Sequence, residues 1–239
     1  MTWGMYGLVF LVVLCASTVQ SSIGMGQGLV AAPLLRLLEP DLLPGPVVLA
    51  GLLTSMVVAS RNSHPSDLRE VTPAVAGRFV GAGLAVGLLA MLSERGLTIA
   101  IGVAVLSFVA LRISGVKIAR TPGSLAGTGV VSGLTGTIAA LGGAPMGLLY
   151  EQHARARDFR GPMGAFGALG GIISVAVLVV SGDMDARAWV LGLSLLPPLA
   201  LGWIFARWVT PVVDRGLLGP IVLTLASGSA AALLVGELL

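Results

Sequence analysis

The sequence predicts an all-α polytopic membrane protein, because 56% of its 239 residues are hydrophobic, only 10% are charged, and the mean hydropathy is +0.98. A soluble domain carries about 25% charged residues. The apolar runs are continuous and lack the alternation of lipid-facing and lumen-facing residues that marks an outer-membrane barrel. We therefore predict a helical bundle, with Gly-rich segments that break helices or re-enter the membrane.

The apolar segments number about eight when they are counted in windows of about 20 residues, the length that crosses a hydrocarbon core. They are predicted at 5–38, 44–60, 72–92, 97–113, 124–150, 161–181, 188–208 and 217–234. The connections between them are too short to form a soluble domain. The chain is thus predicted to work within the bilayer.

The orientation of these spans does not follow from the sequence. If all eight segments cross the membrane, seven Lys and Arg side chains fall on each side, and the positive-inside rule gives no answer. One set is Arg61, Arg69, Arg78, Arg112, Lys117, Arg120 and Arg187; the other is Arg36, Arg95, Arg155, Arg157, Arg160, Arg207 and Arg215.

Two Gly-rich segments indicate an internal repeat. They are residues 17–35 (STVQSSIGMGQGLVAAPLL) and 133–149 (GLTGTIAALGGAPMGLL). A shift of about 116 residues aligns Gly26 with Gly142 and Gln27 with Gly143, and composition bias is the alternative explanation. We predict two transmembrane repeats, 1–120 and 121–239, which together form one integral membrane domain.

The first apolar segment is too long for one membrane helix. As a single helix, its roughly 34 residues would measure about 50 Å and exceed the hydrocarbon core by about 20 Å. Gly24, Gly26 and Gly28 tolerate the backbone angles of a break. A second helix that begins there presents unpaired amide N–H groups and a positive dipole end, which together favour an anion.

The same reasoning applies to Gly142 and Gly143, which precede Ala144 and Pro145. Two such helix starts that face each other would hold one anion between them, with hydroxyls and amides nearby as further donors. Close helix packing by small residues is the alternative. The candidate substrate-binding residues are Ser22, Gly24, Gly26, Gln27, Gly28, Arg78, Thr137, Gly142, Gly143 and Ala144.

Arg78 belongs to this set because it lies about two turns inside the third segment. A charge at that depth is costly and usually faces a cavity. Its planar guanidinium suits an oxyanion. The alternative is that the helix starts late and that Arg78 reaches the lipid headgroups.

An enzyme, a metal site and a cofactor site lack sequence support. The chain has one Cys and two His, and it contains no HExxH or GxSxG motif. No basic run predicts nucleic-acid binding. No carboxylate or histidine lies inside a predicted span, and His64 and His153 fall in loops, so a facilitator is favoured, with co-export or exchange left open.

The two Gly-rich segments, the Thr54-Ser55 pair and the polar stretch 67–69 resemble the TauE/SafE sulfite exporter family over nearly the whole chain. The resemblance implies about eight spans in two repeats. It also implies export of sulfite, sulfoacetate or a related organosulfonate across the bacterial cytoplasmic membrane, with the anion and membrane lipids as partners and a homodimer as plausible. A channel for another small anion and a non-transporting scaffold subunit are the alternatives.

Overall fold

The computed structural model describes residues 3–152, 156–213 and 218–238, and every regular element in this part of the chain is helical. The helices are α1 (Trp3–Ile23), α2 (Gln27–Leu38), a 3-10 turn (Pro40–Leu42), α3 (Gly45–Asn62), α4 (Pro65–Leu89), α5 (Glu94–Ile113), α6 (Pro122–Ala139), α7 (Gly143–Glu151), α8 (Ala156–Ser181), α9 (Ala186–Ser194), α10 (Leu196–Val213) and α11 (Leu218–Leu238). The predicted all-α class is confirmed.

Five segments of the described chain are long and apolar enough to cross a membrane by length and composition. They coincide with α1, α4, α5, α8 and the α9–α10 pair. The protein is therefore a multi-pass membrane protein, and the count of eight spans stays a prediction. Some predictions concern positions outside the described residues: His153, Arg155, Arg215, the side chain of Arg157 and position 217.

The predicted third segment, 72–92, differs from α4 at its start. α4 begins at Pro65 because proline suits a first helical position and a capping box precedes it, in which the His64 amide donates to Asp67 Oδ2 at 2.8 Å. Arg78 is consequently in the middle of a 25-residue helix and only 5% exposed. The interpretation that it reaches the headgroups from a helix end is wrong.

The bundle has two polar ends that differ in charge. The basic end contains residues 61–70, 112–121 and 150–152 and the first turns of α8; there Ser63 Oγ donates to the Gly161 carbonyl at 2.7 Å, and Arg112 pairs with Glu151 at 3.0 Å. The acidic end contains residues 36–45, 90–95 and 182–188, where Arg36 Nη2 donates to the Glu94 carbonyl at 2.9 Å.

The α6–α7 pair is a hairpin that enters from the basic end. Thr121 caps α6 at that end, and the chain turns at 140–142. α7 then returns to the basic end, where Glu151 meets Arg112 of α5. The predicted segment 124–150 is therefore two helices that leave and return on the same side of the bundle.

The α1–α2 pair is a hairpin from the acidic end. α1 runs parallel to α10, since Ser17 Oγ donates to the Leu199 carbonyl at 3.2 Å and Ser22 Oγ to the Ala206 carbonyl at 3.4 Å. α10 follows α9 away from the acidic end, so α1 does too, and α2 brings Arg36 back to that end. The two hairpins thus meet tip to tip inside the bundle.

Glycine decides how closely the hairpins and their neighbours approach. A Cβ at Gly28 of α2 would lie 2.0 Å from the Ala140 carbonyl oxygen at the tip of the other hairpin. A Cβ at Gly81 of α4 would lie 2.0 Å from the Val130 carbonyl oxygen of α6. Contact of this kind between backbones is how small residues drive helix association in lipid, where apolar burial supplies little net force.

We expect Gly81→Ala to destabilise the protein by about 1–3 kcal/mol, the usual cost of overpacking a close contact, because α4 and α6 must separate to admit the methyl group. Thermal unfolding in detergent measures the effect. Gly83→Ala, on the same helix with open space around its Cβ position, is the matched control. Equal midpoints for the two variants would contradict the close contact between α4 and α6.

Candidate functional site

A cavity of about 40 Å³ lies where the tips of the two hairpins meet α3, α4 and α8. A water-sized group needs about 10–15 Å³ of such space, so the cavity holds about three of them. Its polar side chains come from Gln20, Ser55 and Arg78, and the remaining lining is glycine and apolar side chains. The site is small, and its charge comes from one residue.

The guanidinium of Arg78 occupies a slot made by three glycines of the second half of the chain. A Cβ at Gly170 of α8 would lie 2.2 Å from Arg78 Nε, and one at Gly142 would lie 2.6 Å from both Nη1 and Nη2. Gly136 of α6 approaches Nη2 in the same way, at 3.0 Å. The ring of Phe166 covers the guanidinium carbon at 5.1 Å from its centroid. These three glycines are therefore required to seat the cation.

This buried cation has no counter-ion within the described chain. Arg78 Nε has no hydrogen-bond partner, and no ion pair among the described residues includes Arg78. An uncompensated charge in a low-dielectric interior costs several kcal/mol, and contact with the Phe166 ring offsets about 2 kcal/mol of it. An anion that enters the cavity would relieve this cost.

Two further donors face the same space. Ser55 Oγ accepts a hydrogen bond from Gln20 Nε2 at 2.9 Å, which leaves the Ser55 hydroxyl proton free for a ligand. Gly142 and Gly143 line the cavity at the start of α7. The first amide of this helix, that of Gly143, has no acceptor within the helix, whereas the Ala144 amide donates to the Leu141 carbonyl at 3.0 Å. The cavity therefore combines a cation, a hydroxyl and a helix N-terminus.

Gln20 joins three elements at the cavity wall. Its Nε2 donates to the Gly51 carbonyl at 3.2 Å as well as to Ser55, and its Oε1 accepts from the Gln27 amide at 3.3 Å. The start of α2 is thus capped by a side chain from α1. Sequence reasoning missed Gln20 because nothing in the local pattern shows that a helical glutamine caps the next helix seven residues later.

The predicted candidates fall into two groups. Gly24, Arg78, Gly142 and Gly143 all line the cavity. The other candidates lie around the cavity without lining it. Ser22 donates to the Thr18 carbonyl, Thr137 donates to Ser174 Oγ at 2.9 Å, and the backbone amide of Gln27 donates to Gln20. Gly26 and Gly28 lie at the α1–α2 turn, against α1 and Ala140 respectively, and Ala144 lines a separate apolar cavity. One helix start, that of α7, faces the cavity where two were predicted, because Gln20 covers the start of α2.

The cavity wall also has corresponding positions in the two halves. Ile23 and Ala139, which end α1 and α6, lie 116 positions apart, as do Gln27 and Gly143, which start α2 and α7. The lining residues pair at the same spacing: Gln20 with Gly136, Gly24 with Ala140, Gly51 with Gly167, and Ser55 with Gly171. Gly24 and Ala140 both have positive φ, at 95° and 55°. The first half contributes polar side chains where the second contributes glycine.

Comparison with protein-family models decides the identity. The model of the sulfite exporter TauE/SafE family matches residues 9–233, which is nearly the whole chain. The chain belongs to the TauE/SafE sulfite exporter family. A search of curated proteins and a search of solved structures each found no match.

TauE/SafE proteins are membrane transporters and not enzymes, which agrees with the apolar helices described above. The family implies a sulfite or anion exporter. The cavity is buried in the bundle and carries a cation without a counter-ion among the described residues.

Sulfite bound in the cavity would stabilise the purified protein, and we expect Gly170→Ala to abolish most of that stabilisation, because the new methyl group would collide with Arg78 Nε and move the guanidinium out of the cavity. The shift of the unfolding midpoint with added sulfite measures this. Gly87→Ala, at an open position on α4, is the control. An undiminished shift in the Gly170 variant would mean that the seated position of Arg78 is irrelevant to binding.

Proposed function

We propose that this protein exports a small sulfur-containing anion, sulfite or an organosulfonate, across the bacterial cytoplasmic membrane, and that the anion binds in the cavity between the hairpin tips. The observation that carries the proposal is the buried guanidinium of Arg78, which lacks a counter-ion among the described residues. Intramembrane charges of this kind mark substrate pathways in transporters.

Binding would match donors to the oxygens of the anion. The guanidinium fork of Arg78 can donate two parallel hydrogen bonds to two oxygens of an oxyanion. The Ser55 hydroxyl and the amides at the start of α7 can donate to the third. Each charge-assisted hydrogen bond contributes about 1.5–3 kcal/mol, and the anion also offsets the cost of the buried cation.

The arrangement of the two hairpins supports a transport cycle. The hairpins enter from opposite ends, and the antiparallel helices α3 and α8 pair across the cavity, with Leu52 packed on Gly171 and Ala59 on Gly164. Inverted repeats with broken helices that meet at the substrate are typical of secondary transporters that expose one site to each side in turn. We therefore propose that residues 1–120 and 121–239 are two such repeats.

The apolar clusters on either side of the cavity fit this cycle. Met25, Met163 and Phe166 belong to the cluster towards the basic end, and Val48 and Leu178 belong to the cluster towards the acidic end. Opening one cluster while the other stays packed would give the cavity access to one side at a time.

The charges at the two ends support an orientation. Among the described Lys and Arg residues, seven lie at or towards the basic end and three at the acidic end. The seven are Arg61, Arg69, Arg112, Lys117, Arg120, Arg160 and Arg207; the three are Arg36, Arg95 and Arg187. The tie in the sequence count arose because the α6–α7 hairpin was treated as a full crossing. By the positive-inside rule, we propose that the basic end faces the cytoplasm.

Labelling of single cysteines tests this orientation in cells. With Cys15 replaced by Ser, we expect Asp183→Cys to react with a membrane-impermeant maleimide in intact spheroplasts, and Lys117→Cys to react only after the membrane is opened. Both positions are exposed at their ends of the bundle, which makes them a matched pair. The reverse pattern would place the basic end outside.

Arg78→Gln should lower the affinity for sulfite by at least about tenfold, because it removes a charge-assisted hydrogen bond of about 1.5–3 kcal/mol. Saturable uptake into liposomes measures this, with sulfite, sulfoacetate, taurine, sulfate and chloride compared. Arg187→Gln, which removes an exposed guanidinium that pairs with Asp41, is the control.

Three outcomes of the same assay separate the competing functions. Saturable uptake of one sulfur anion with exchange supports a carrier. Flux that does not saturate and favours chloride indicates a channel. A folded protein with no binding and no flux for any anion would leave a scaffold subunit and would overturn the proposal.

A further inference from the structure

We infer that the cavity selects a singly charged anion with an SO₃ head, so that sulfite crosses as hydrogen sulfite with its proton attached. The inference rests on the proposed function, because it names the ionic form of the substrate at the same site. It concerns what the lining residues of this chain can neutralise and enclose.

The charge of the cavity is the first argument. Arg78 is the one titratable side chain among the described lining residues, and the faces that α1, α3, α6 and α8 turn to the cavity carry none. Of the other buried cations, Arg36 lies at the acidic end and binds Thr98 Oγ1 at 2.9 Å. Arg160 lies in the first turns of α8, where its backbone packs against Gly24, and its side chain is not among those that line the cavity. One anionic charge balances the site, and a dianion leaves one negative charge uncompensated in a low-dielectric interior.

The asymmetry of the two halves is the second argument. A symmetric pair of repeats would place two cations around one cavity. In the structure, Arg78 packs over Gly170. Thr54 lies 116 positions before Gly170, and the side chain that contacts Thr54 is Trp203, whose Nε1 donates to Thr54 Oγ1 at 3.3 Å. An indole N–H is a neutral donor. Among the described lining residues, the second half therefore supplies no second cation for a dianion.

The size and polarity of the cavity are the third argument. The cavity has a volume of about 40 Å³, which suits a small head group such as SO₃ better than a bulky organic anion. The carboxylate of sulfoacetate would need a second cation. The ammonium of taurine would need a carboxylate, and the described lining residues include none. Hydrogen sulfite and simple monosulfonates carry the single negative charge that the site can neutralise, and they carry no second charged group.

A proton then moves with the substrate. Hydrogen sulfite leaves one compartment with its proton and in the other compartment dissociates into the sulfite dianion and H⁺, so charge and mass balance without any residue that titrates. No Asp, Glu or His is buried among the described residues, which agrees with a proton carried by the anion.

The test uses the full-length protein in liposomes at constant total sulfite between about pH 6 and pH 8.5. We expect the initial rate of sulfite uptake to fall as the pH rises, approaching about tenfold per pH unit once the dianion predominates. Methanesulfonate, which stays a monoanion throughout this range, should be taken up at an unchanged rate. Protein-free liposomes provide the background for passive entry of sulfur dioxide.

A pH-sensitive dye in the lumen supplies a second readout. Sulfite uptake should acidify the lumen and methanesulfonate uptake should not. Sulfate should inhibit sulfite uptake at least about tenfold more weakly than methanesulfonate does, a ratio that corresponds to about 1.4 kcal/mol. Arg187→Gln is the matched variant and should keep all three properties.

Saturable sulfite uptake that is constant or rises with pH would overturn this inference and leave the proposed function intact. Inhibition by sulfate as strong as that by methanesulfonate would do the same. Absence of saturable uptake for every sulfur anion would instead overturn the proposed function, and the inference with it.

Discussion

The seating of one guanidinium is the constraint on which the rest of the structure depends. Arg78 lies in the middle of α4, where a charge without a partner is costly, and it fits only because Gly136, Gly142 and Gly170 leave space for it. An alanine at Gly142 or Gly170 would overlap the guanidinium. Glycines of the second half therefore serve a cation of the first half, and the two halves are coupled through that contact.

The hairpins exist for a related reason. A chain that stops and reverses inside a bundle exposes backbone groups, which must find partners in the protein or in a cavity. Gln20 supplies one partner by capping the Gln27 amide, and the close contact of Gly28 with the Ala140 carbonyl region seals the tips against each other. The start of α7 is left facing the cavity beside Arg78. Arg78 and the start of α7 thus lie at one place, where an anion would satisfy both.

The two halves correspond in backbone and differ in side chains. Helix ends and lining positions recur 116 residues apart, yet the polar Gln20 and Ser55 of the first half correspond to Gly136 and Gly171 of the second. The single charge among the described lining residues comes from Arg78 of the first half. If the two halves are repeats, as we propose, one small anion would bind off the axis that relates them.

The sequence by itself determined the membrane class, the helical content, the two helix breaks and the place of Arg78 inside an apolar segment. Composition, the length of apolar runs, glycine clusters and a charge within an apolar run are local properties of the chain. It also supported the family on the Gly-rich segments, which the match over residues 9–233 confirmed. Only the tertiary structure decided that 124–150 turns back to its own side, which is why counting charges over eight crossings gave a tie. Three further features depend on contacts between residues far apart in the chain, which no local sequence pattern shows. They are the glycine slot around Arg78, the capping of α2 by Gln20, and the hydrogen bonds that keep Ser22 and Thr137 away from the cavity.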